Sequence, residues 1–161
     1  MDIRIGNGID VHKLVQGEKF ILGGIQINSN NGILAHSDGD IVLHALIDSI
    51  LGALSLGDIG TFFPSDNQKF KNISSQLLLD KVIDKMNSLN YNIINTDITI
   101  ILQKPSLANY KDKIKKNLSN ILKIDINKIS IKATTTDYLG FLGKQEGIAV
   151  LVTTLLNQNE S

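Results

Sequence analysis

The chain has three histidines, His12, His36 and His44, and each has an aspartate close by in sequence. Asp10 stands two residues before His12, and other aspartates lie within about one helical turn of the two later histidines. Imidazole nitrogens and carboxylate oxygens are common ligands of zinc and other divalent ions. This concentration predicts a site that binds a metal ion together with a phosphate.

Asp10 and His12 belong to a segment from Ile3 to Leu14 whose β-branched and apolar residues predict a strand. Successive side chains of a strand point to opposite faces, so residues two apart share a face. We therefore expect Asp10 and His12 to project together, with Val11 on the other side of the strand.

A third ligand is available from His44, which lies in an apolar segment that predicts a buried helix. Asp40, His44 and Asp48 are one turn apart and form a stripe on that helix. Polar groups are costly in such a place unless they are paired or coordinated. A single buried histidine is more often a hydrogen-bonded core residue, and Asp-x-His also occurs by chance, but the features together favour a metal site.

The start of this helix is the expected place for a phosphate. Asp38 or Asp40 predicts the N-cap, and the free backbone amides of a helix start attract anions. His36 and Ser37 stand directly before it and add side-chain donors. We expect both residues to contact the phosphate beside the metal.

Composition limits the class of protein. With 161 residues, 42% hydrophobic and 20% charged, we expect one folded domain across residues 1–161. Sixteen basic residues balance sixteen acidic ones, which predicts that the protein has no nucleic-acid partner. The sequence also has no basic amphipathic segment, so we expect no binding to a membrane surface. Because the chain has no cysteine, histidine and carboxylate groups must hold any metal. No signal peptide or long apolar run is evident, so we expect a cytoplasmic protein, or an organellar one whose transit peptide was removed.

The remaining segments predict the fold class. Lys19 to Ile27 predicts a strand that Gly23-Gly24 bends or bulges. Apolar periodicity then predicts alternating helices and strands in the second half, at Ser74 to Leu89, Tyr91 to Leu102, Tyr110 to Leu122, Ile129 to Thr134 and Ile148 to Leu156. A strand, a helix and a strand in this order form a β-α-β unit. The prediction is an α/β (α+β) sandwich with one mixed β-sheet covered by helices.

Three further segments have an ordinary interpretation, and the third also has a functional one. Residues 57–60 are typical of a turn that ends a helix. The lysines of the second-half helix predict a solvated face, at Lys111, Lys113, Lys115 and Lys116. Thr134-Thr135-Thr136-Asp137 could be ordinary strand residues, or phosphate donors beside one hard metal ligand.

With these residues in view, the chain resembles the 2-C-methyl-D-erythritol 2,4-cyclodiphosphate synthases of the non-mevalonate isoprenoid pathway. The resemblance covers nearly the whole chain in the right order, at residues 8–12, 34–40 with 44–46, 56–60, 132–137, 140–141 and 146–149. It implies a homotrimer with active sites between neighbouring subunits. The implied reaction is an intramolecular phosphoryl transfer that closes a cyclic diphosphate and releases CMP.

The same resemblance implies a role for individual residues. Asp10, His12 and His44 would bind zinc, and Asp137 would hold a second ion, Mg²⁺ or Mn²⁺. His36 and Thr135 would stabilise the transition state. The implied substrate-binding residues include five of these six, all except His44, and also Ser37, Asp58, Ile59, Gly60, Phe63, Asp66, Leu102, Gln103, Lys104, Pro105, Ser106, Thr134, Thr136, Phe141 and Lys144. Asp58 and Gly60 would grip the erythritol hydroxyls, and residues 102–106 with the threonines would hold the CMP half.

The chain departs from the usual family pattern at Asp137, where glutamate is common, and at Lys144, where arginine is common. Two alternative functions stay open. A zinc hydrolase of phosphate esters would need a carboxylate base, for which Asp38 or Asp40 could serve. A non-catalytic ligand-binding trimer would use the cluster as a structural metal site, although such sites normally have four protein ligands and only three are evident here.

Overall fold

One mixed β-sheet and the helices on one of its faces form the framework of the structure, a computed structural model that describes residues 2–35, 38–64 and 73–159. The strands are β1 Ile3–Gln16, β2 Ile21–Leu22, β3 Ile25–Gln26, β4 Asn31–Ile33, β5 Tyr91–Ile101, β6 Ile129–Thr134 and β7 Gly147–Gln158. The helices are α1 Ile41–Ala53, α2 Ile59–Phe62, α3 Ser75–Ser88, α4 Lys111–Leu122 and α5 Gly140–Gly143, with a short 3-10 helix at Ile126–Lys128.

The main sheet has the strand order β4-β1-β7-β5-β6. Strands β5 and β6 are parallel and are joined through α4, which forms the expected β-α-β unit, whereas the other pairs are antiparallel. The predicted fold class is therefore confirmed. Among the described residues, none of the helices combines the length and the apolar character that crossing a bilayer requires.

The register of the sheet places the two predicted halves of the site at the same end of its strands. Val11 of β1 lies opposite Ala149 of β7, Ala149 lies opposite Ile101 of β5, and Ile101 lies opposite Thr134 of β6. Adjacent strands are about 4.8 Å apart, so three strand spacings separate β1 from β6, roughly 15 Å. Asp10 and His12 therefore lie at the same end of the strands as the threonines, but three strands away from them.

Helix α1 is buried almost all round, as expected, and lies directly on β1. Ten of its 13 residues are buried. A Cβ at Gly8 would lie 1.8 Å from the carbonyl oxygen of Ala45, and one at Gly6 would lie 2.0 Å from that of Ser49. The two backbones are therefore in contact at these glycines, which have no side chain to separate them. This close approach brings His44 of α1 next to the Asp10 end of β1.

Two local expectations were wrong. Lys19 to Ile27 does not form one bent strand, because Gly23 and Gly24, with φ of +56° and +77°, make a two-residue turn that pairs β2 with β3 as a separate hairpin. Residues 57–60 do not only end a helix. Helix α1 ends at Ala53, and Asp58 caps the new helix α2 by accepting a hydrogen bond from the Thr61 N–H at 2.7 Å.

The face of the sheet opposite α1 is apolar and exposed. The outward side chains of β1 and β7 include Ile3, Ile5, Ile9, Val11 and Leu151, and Ile5 and Ile9 are 66% and 62% exposed. Ile9 of β1 and Leu151 of β7 are direct neighbours in the register. This largely apolar surface, which the hydrogen-bonded polar pair Asn7 and Thr153 interrupts, lies on the side of β1 that faces away from Asp10 and His12.

Candidate active site

Asp10, His12 and His44 converge at the edge of the sheet, where β1 meets α1. One ligand atom from each of the three residues lies within 4.8 Å of the other two. Asp10 Oδ2 lies 3.2 Å from Nδ1 of His44, and Asp10 Oδ1 lies 3.3 Å from Nδ1 of His12. Val11 is half exposed on the opposite face. The alternation of β1 thus places both ligands as the sequence predicted, and the close contact at Gly8 brings in the third.

The donor set fits a divalent cation. Nδ1 of His12 is buried, and its contact with Asp10 is not aligned as a hydrogen bond, so this nitrogen has no hydrogen-bond partner among the described residues. A buried polar atom without a partner costs about 1–3 kcal/mol. A cation between the two imidazoles and the carboxylate would give that nitrogen a partner. Two nitrogens and one oxygen are a donor set that zinc uses in open, catalytic sites.

The charge of Asp10 suits this role. Burial alone would raise the pKa of Asp10, but the contacts with His12 and His44 outweigh it and hold that pKa well below its usual range. The carboxylate is therefore ionised at neutral pH, as a metal ligand must be.

Asp40, which precedes His44 by one turn, has a structural role. It is 1% exposed, and it accepts the N–H groups of Gly23 at 2.8 Å, Gly24 at 2.6 Å and Leu43 at 3.2 Å. Asp40 is therefore the N-cap of α1 and the anchor of the β2–β3 hairpin. Burial raises the pKa of Asp40 to about 6, against these three N–H groups, which lower it.

Asp48, one turn after His44, connects α1 to α2. Its Oδ1 accepts the N–H of Ile59 at 2.7 Å. Burial raises the pKa of Asp48, and the hydrogen bond from Ile59 opposes the rise. This bond holds the start of α2, and with it Asp58 and Gly60, beside the metal-site helix. The predicted stripe on α1 therefore contacts three other segments. Asp40 binds the β2–β3 hairpin, His44 contacts Asp10 of β1, and Asp48 binds the start of α2.

A large open cavity lies where strands β5 and β6 end. Its volume is about 1060 Å³, and it is lined by all of residues 102–106 together with Thr134 and Thr135. Gln103 accepts a hydrogen bond from the Tyr138 N–H at 3.1 Å, which connects the loop after β5 to the loop after β6. These predicted residues are therefore brought together on one wall of the cavity.

Lys111 is a correction to the sequence prediction. It was expected on a solvated face with the other lysines, but it is half buried and lines this cavity with Lys104. The reason is its place as the first residue of α4, directly above the loop that ends β5. Only the packing of α4 on the sheet separates it from the three exposed or half-buried lysines that follow.

The remaining predicted residues lie away from the cavity or outside the described part of the chain. Thr136, Asp137, Phe141 and Lys144 do not line the cavity, and Asp137 and Lys144 are exposed. Asp137 has a φ of +52°, so its backbone is in the left-handed region just after the threonines. Phe63 lies against the core with its ring edge-on to Phe62. The predictions for His36, Ser37 and Asp66 lie outside the described residues.

Comparison with known proteins identifies the family. The model of the YgbB family matches residues 3–157. The chain belongs to the YgbB family. Similar members include the 2-C-methyl-D-erythritol 2,4-cyclodiphosphate synthases of Clostridium botulinum (strain 657 / Type Ba4) and Brachyspira hyodysenteriae (strain ATCC 49526 / WA1). Both are 52% identical to this chain, over 96% and 98% of its length respectively, and over the full length of each relative.

Solved structures of YgbB relatives show the same fold. A CDP complex of IspF from Plasmodium falciparum has a TM-score of 0.87 and 40% identity, over 98% of this chain and 97% of that one. The bifunctional IspDF from Campylobacter jejuni has a TM-score of 0.94 and 42% identity over 99% of this chain, which spans only 43% of that longer protein. The resemblance expected from the motifs is therefore confirmed.

Proposed function

We propose that this YgbB-family chain converts 4-diphosphocytidyl-2-C-methyl-D-erythritol 2-phosphate to 2-C-methyl-D-erythritol 2,4-cyclodiphosphate, with release of CMP, in the non-mevalonate route to isoprenoid precursors. The observation that carries the proposal is the convergence of Asp10, His12 and His44 within 4.8 Å at the edge of the sheet. The names of the relatives and the CDP complex of one neighbour support a cytidine diphosphate substrate.

Zinc is the proposed ion at Asp10, His12 and His44, because three protein ligands leave one position open for a phosphate oxygen. When bound, it would polarise that phosphate and neutralise charge that develops during transfer. A second divalent ion, Mg²⁺ or Mn²⁺, is proposed at Asp137, whose carboxylate is exposed directly after the threonines. A hard cation at that place prefers oxygen ligands.

The residues of the chain would act mainly by alignment, because phosphoryl transfer depends on positioning and electrostatic stabilisation more than on covalent help. Residues 102–106, Thr134 and Thr135 would hold the cytidine half in the large cavity. Asp58 and Gly60, held by Asp48, would grip the erythritol hydroxyls. An oxygen of the 2-phosphate then attacks the diphosphate phosphorus on the erythritol side, and the bond from that phosphorus to the CMP oxygen breaks.

A homotrimer with sites between subunits is part of the proposal. Two observations support it. The outer face of β1 and β7 exposes a largely apolar surface of the kind that marks an interface. Among the described residues, no hydrogen bond or ion pair joins the cluster at Asp10 to the segment from Thr134 to Asp137. A neighbouring subunit that supplied the nucleotide half would complete the site.

The hydrolase alternative is weakened by the structure. Asp40 is 1% exposed and both of its oxygens accept backbone N–H groups, so it is closed off from water. The two oxygens of Asp38 accept hydrogen bonds from the N–H and the hydroxyl of Ser75. Both carboxylates proposed as a base therefore already have structural partners.

Product analysis tests the proposal. The full-length chain, incubated with zinc, magnesium and the cytidine substrate, is expected to give CMP and a cyclic diphosphate by mass spectrometry. A linear, hydrolysed product would overturn the cyclase assignment. The double variant His12→Ala, His44→Ala should lose turnover, whereas Lys116→Ala, on the exposed side of α4, should keep it. Wild-type turnover by the double variant would overturn the metal assignment.

A further inference from the structure

The hydroxyl of Ser75 lies between His44 and Asp38 and bonds to both. Ser75 is the first residue of α3 and is fully buried. Its Oγ lies 2.8 Å from Nε2 of His44, and it also forms a short hydrogen bond with Oδ1 of Asp38. The Ser75 N–H donates to the other oxygen of Asp38 at 2.9 Å. This contact joins α3 to the metal-site helix across 31 residues of sequence.

The proton of the hydroxyl decides which hydrogens His44 carries. A carboxylate is an acceptor only, and a hydroxyl has one hydrogen to donate. The Ser75 hydrogen therefore goes to Asp38, and Oγ must accept from His44. It follows that Nε2 of His44 bears a hydrogen. In the neutral ring, Nδ1 then carries a lone pair, and this is the nitrogen that lies 3.2 Å from Asp10.

We infer that Ser75 and Asp38 form a positioning pair that fixes the tautomer and the ring plane of His44, so that Nδ1 is presented as the metal ligand. The inference rests on the proposed metal site and extends it to two residues beyond the ligands. A lone pair of Nδ1 that faces a carboxylate is unfavourable without a cation between them. Such outer partners orient the ligand and raise its basicity.

A purely structural role for the Ser75 hydroxyl is not needed at this place. The N-cap of α3 is the preceding residue, Ser74, whose hydroxyl accepts the N–H of Leu77 at 3.3 Å. Ser74 makes no hydrogen bond to His44 or Asp38 among the described residues. The two adjacent serines therefore separate the two roles, because one caps the helix and the other contacts the histidine.

The test compares Ser75→Ala with Ser74→Ala in the full-length protein. Zinc affinity is measured by titration of the metal-free protein against a competing chelator. We expect Ser75→Ala to bind zinc about 10-fold to 100-fold more weakly, which is the usual loss for such a partner. Ser74→Ala loses only helix capping and should keep the wild-type affinity. Ser75→Thr retains the hydroxyl and should stay closer to wild type than Ser75→Ala.

A second measurement does not depend on metal. The ring nitrogens of the three histidines can be observed by NMR after ¹⁵N-histidine labelling, in metal-free protein at a pH where the rings are neutral. Wild-type His44 is expected to carry a hydrogen on Nε2. In Ser75→Ala only Asp10 still faces the ring, so the population should shift towards the Nδ1–H tautomer. An unchanged tautomer and wild-type zinc affinity in Ser75→Ala would overturn the inference, as would an equal loss of affinity in Ser74→Ala. Failure of the wild-type protein to bind zinc would instead overturn the metal assignment of the proposed function.

Discussion

Replacement of Gly8 by alanine should move α1 away from β1 and weaken metal binding. The new Cβ would lie 1.8 Å from the Ala45 carbonyl oxygen, whereas ordinary contacts begin at 3.4 Å, so the backbones must separate by about 1.6 Å. Metal sites tolerate changes of only about 0.2 Å in ligand distances. Since His44 directly precedes Ala45 on the same helix turn, its ring must leave the position from which it reaches Asp10.

The expected cost in stability is about 3 kcal/mol, at the upper end for overpacking, because the obstructing atoms belong to the backbone and cannot rotate away. Zinc affinity should fall by more than about 100-fold, which is the largest loss expected when a hydrogen-bond partner of a metal ligand is removed. Urea unfolding and chelator titration measure the two effects.

Gly52→Ala is the matched control, since Gly52 belongs to the same helix and a Cβ there has its nearest contact at 3.7 Å, the Asn7 carbonyl oxygen. Alanine in a helix is favoured over glycine by about 1 kcal/mol, so this variant should be no less stable than wild type. A Gly8→Ala protein with wild-type stability and zinc affinity would refute the reasoning that backbone contact at Gly8 positions the ligands.

Three further predictions concern the hydrogen bonds around the site. The folded pKa of Asp40, about 6, lies above the ordinary 3.8, so its contribution to stability is present below about pH 4 and is lost as pH rises through 6. The urea-measured stability of wild type relative to Asp40→Asn should therefore grow by about 2 kcal/mol from about pH 7 to about pH 4.5; no change would contradict it. Asp48→Ala leaves the Ile59 N–H without its acceptor, so KM should rise while zinc affinity stays nearly unchanged, and the reverse pattern in steady-state kinetics and titration would contradict this. Thr154→Val removes the hydroxyl that lies 2.6 Å from the buried Ser49 hydroxyl, and it should lower the free energy of unfolding in urea by about 1–2 kcal/mol. An unchanged free energy of unfolding would contradict this prediction.

Much of the metal cluster could be predicted from local periodicity. Alternation along β1 is enough to put Asp10 and His12 on one face, and the apolar helix with its N-cap aspartate is enough to place His44 one turn inside it. Both patterns are properties of neighbouring residues. The β-α-β unit follows in the same way, because its strands and its helix each carry their own period.

The contacts that complete the site could not be predicted in this way. Ser75 lies 31 residues from His44, and a serine at the start of a helix has an ordinary explanation as a cap. Gly6 and Gly8 gave no indication of their role, because the close approach of a helix backbone depends on tertiary packing. Lys111 has the same types of residues around it in the sequence as the lysines that follow. Only the position of α4 on the sheet turns it towards the cavity.

The central claim is that these residues align an attack within one substrate molecule, without water as a reactant. Turnover of the cytidine substrate in ¹⁸O-labelled water, followed by mass spectrometry of both products, tests it directly. We predict a cyclic diphosphate and CMP that carry no ¹⁸O from the solvent. Hydrolysis would instead give CMP and a linear 2,4-bisphosphate, one of which carries ¹⁸O from the solvent, and that result would contradict the account.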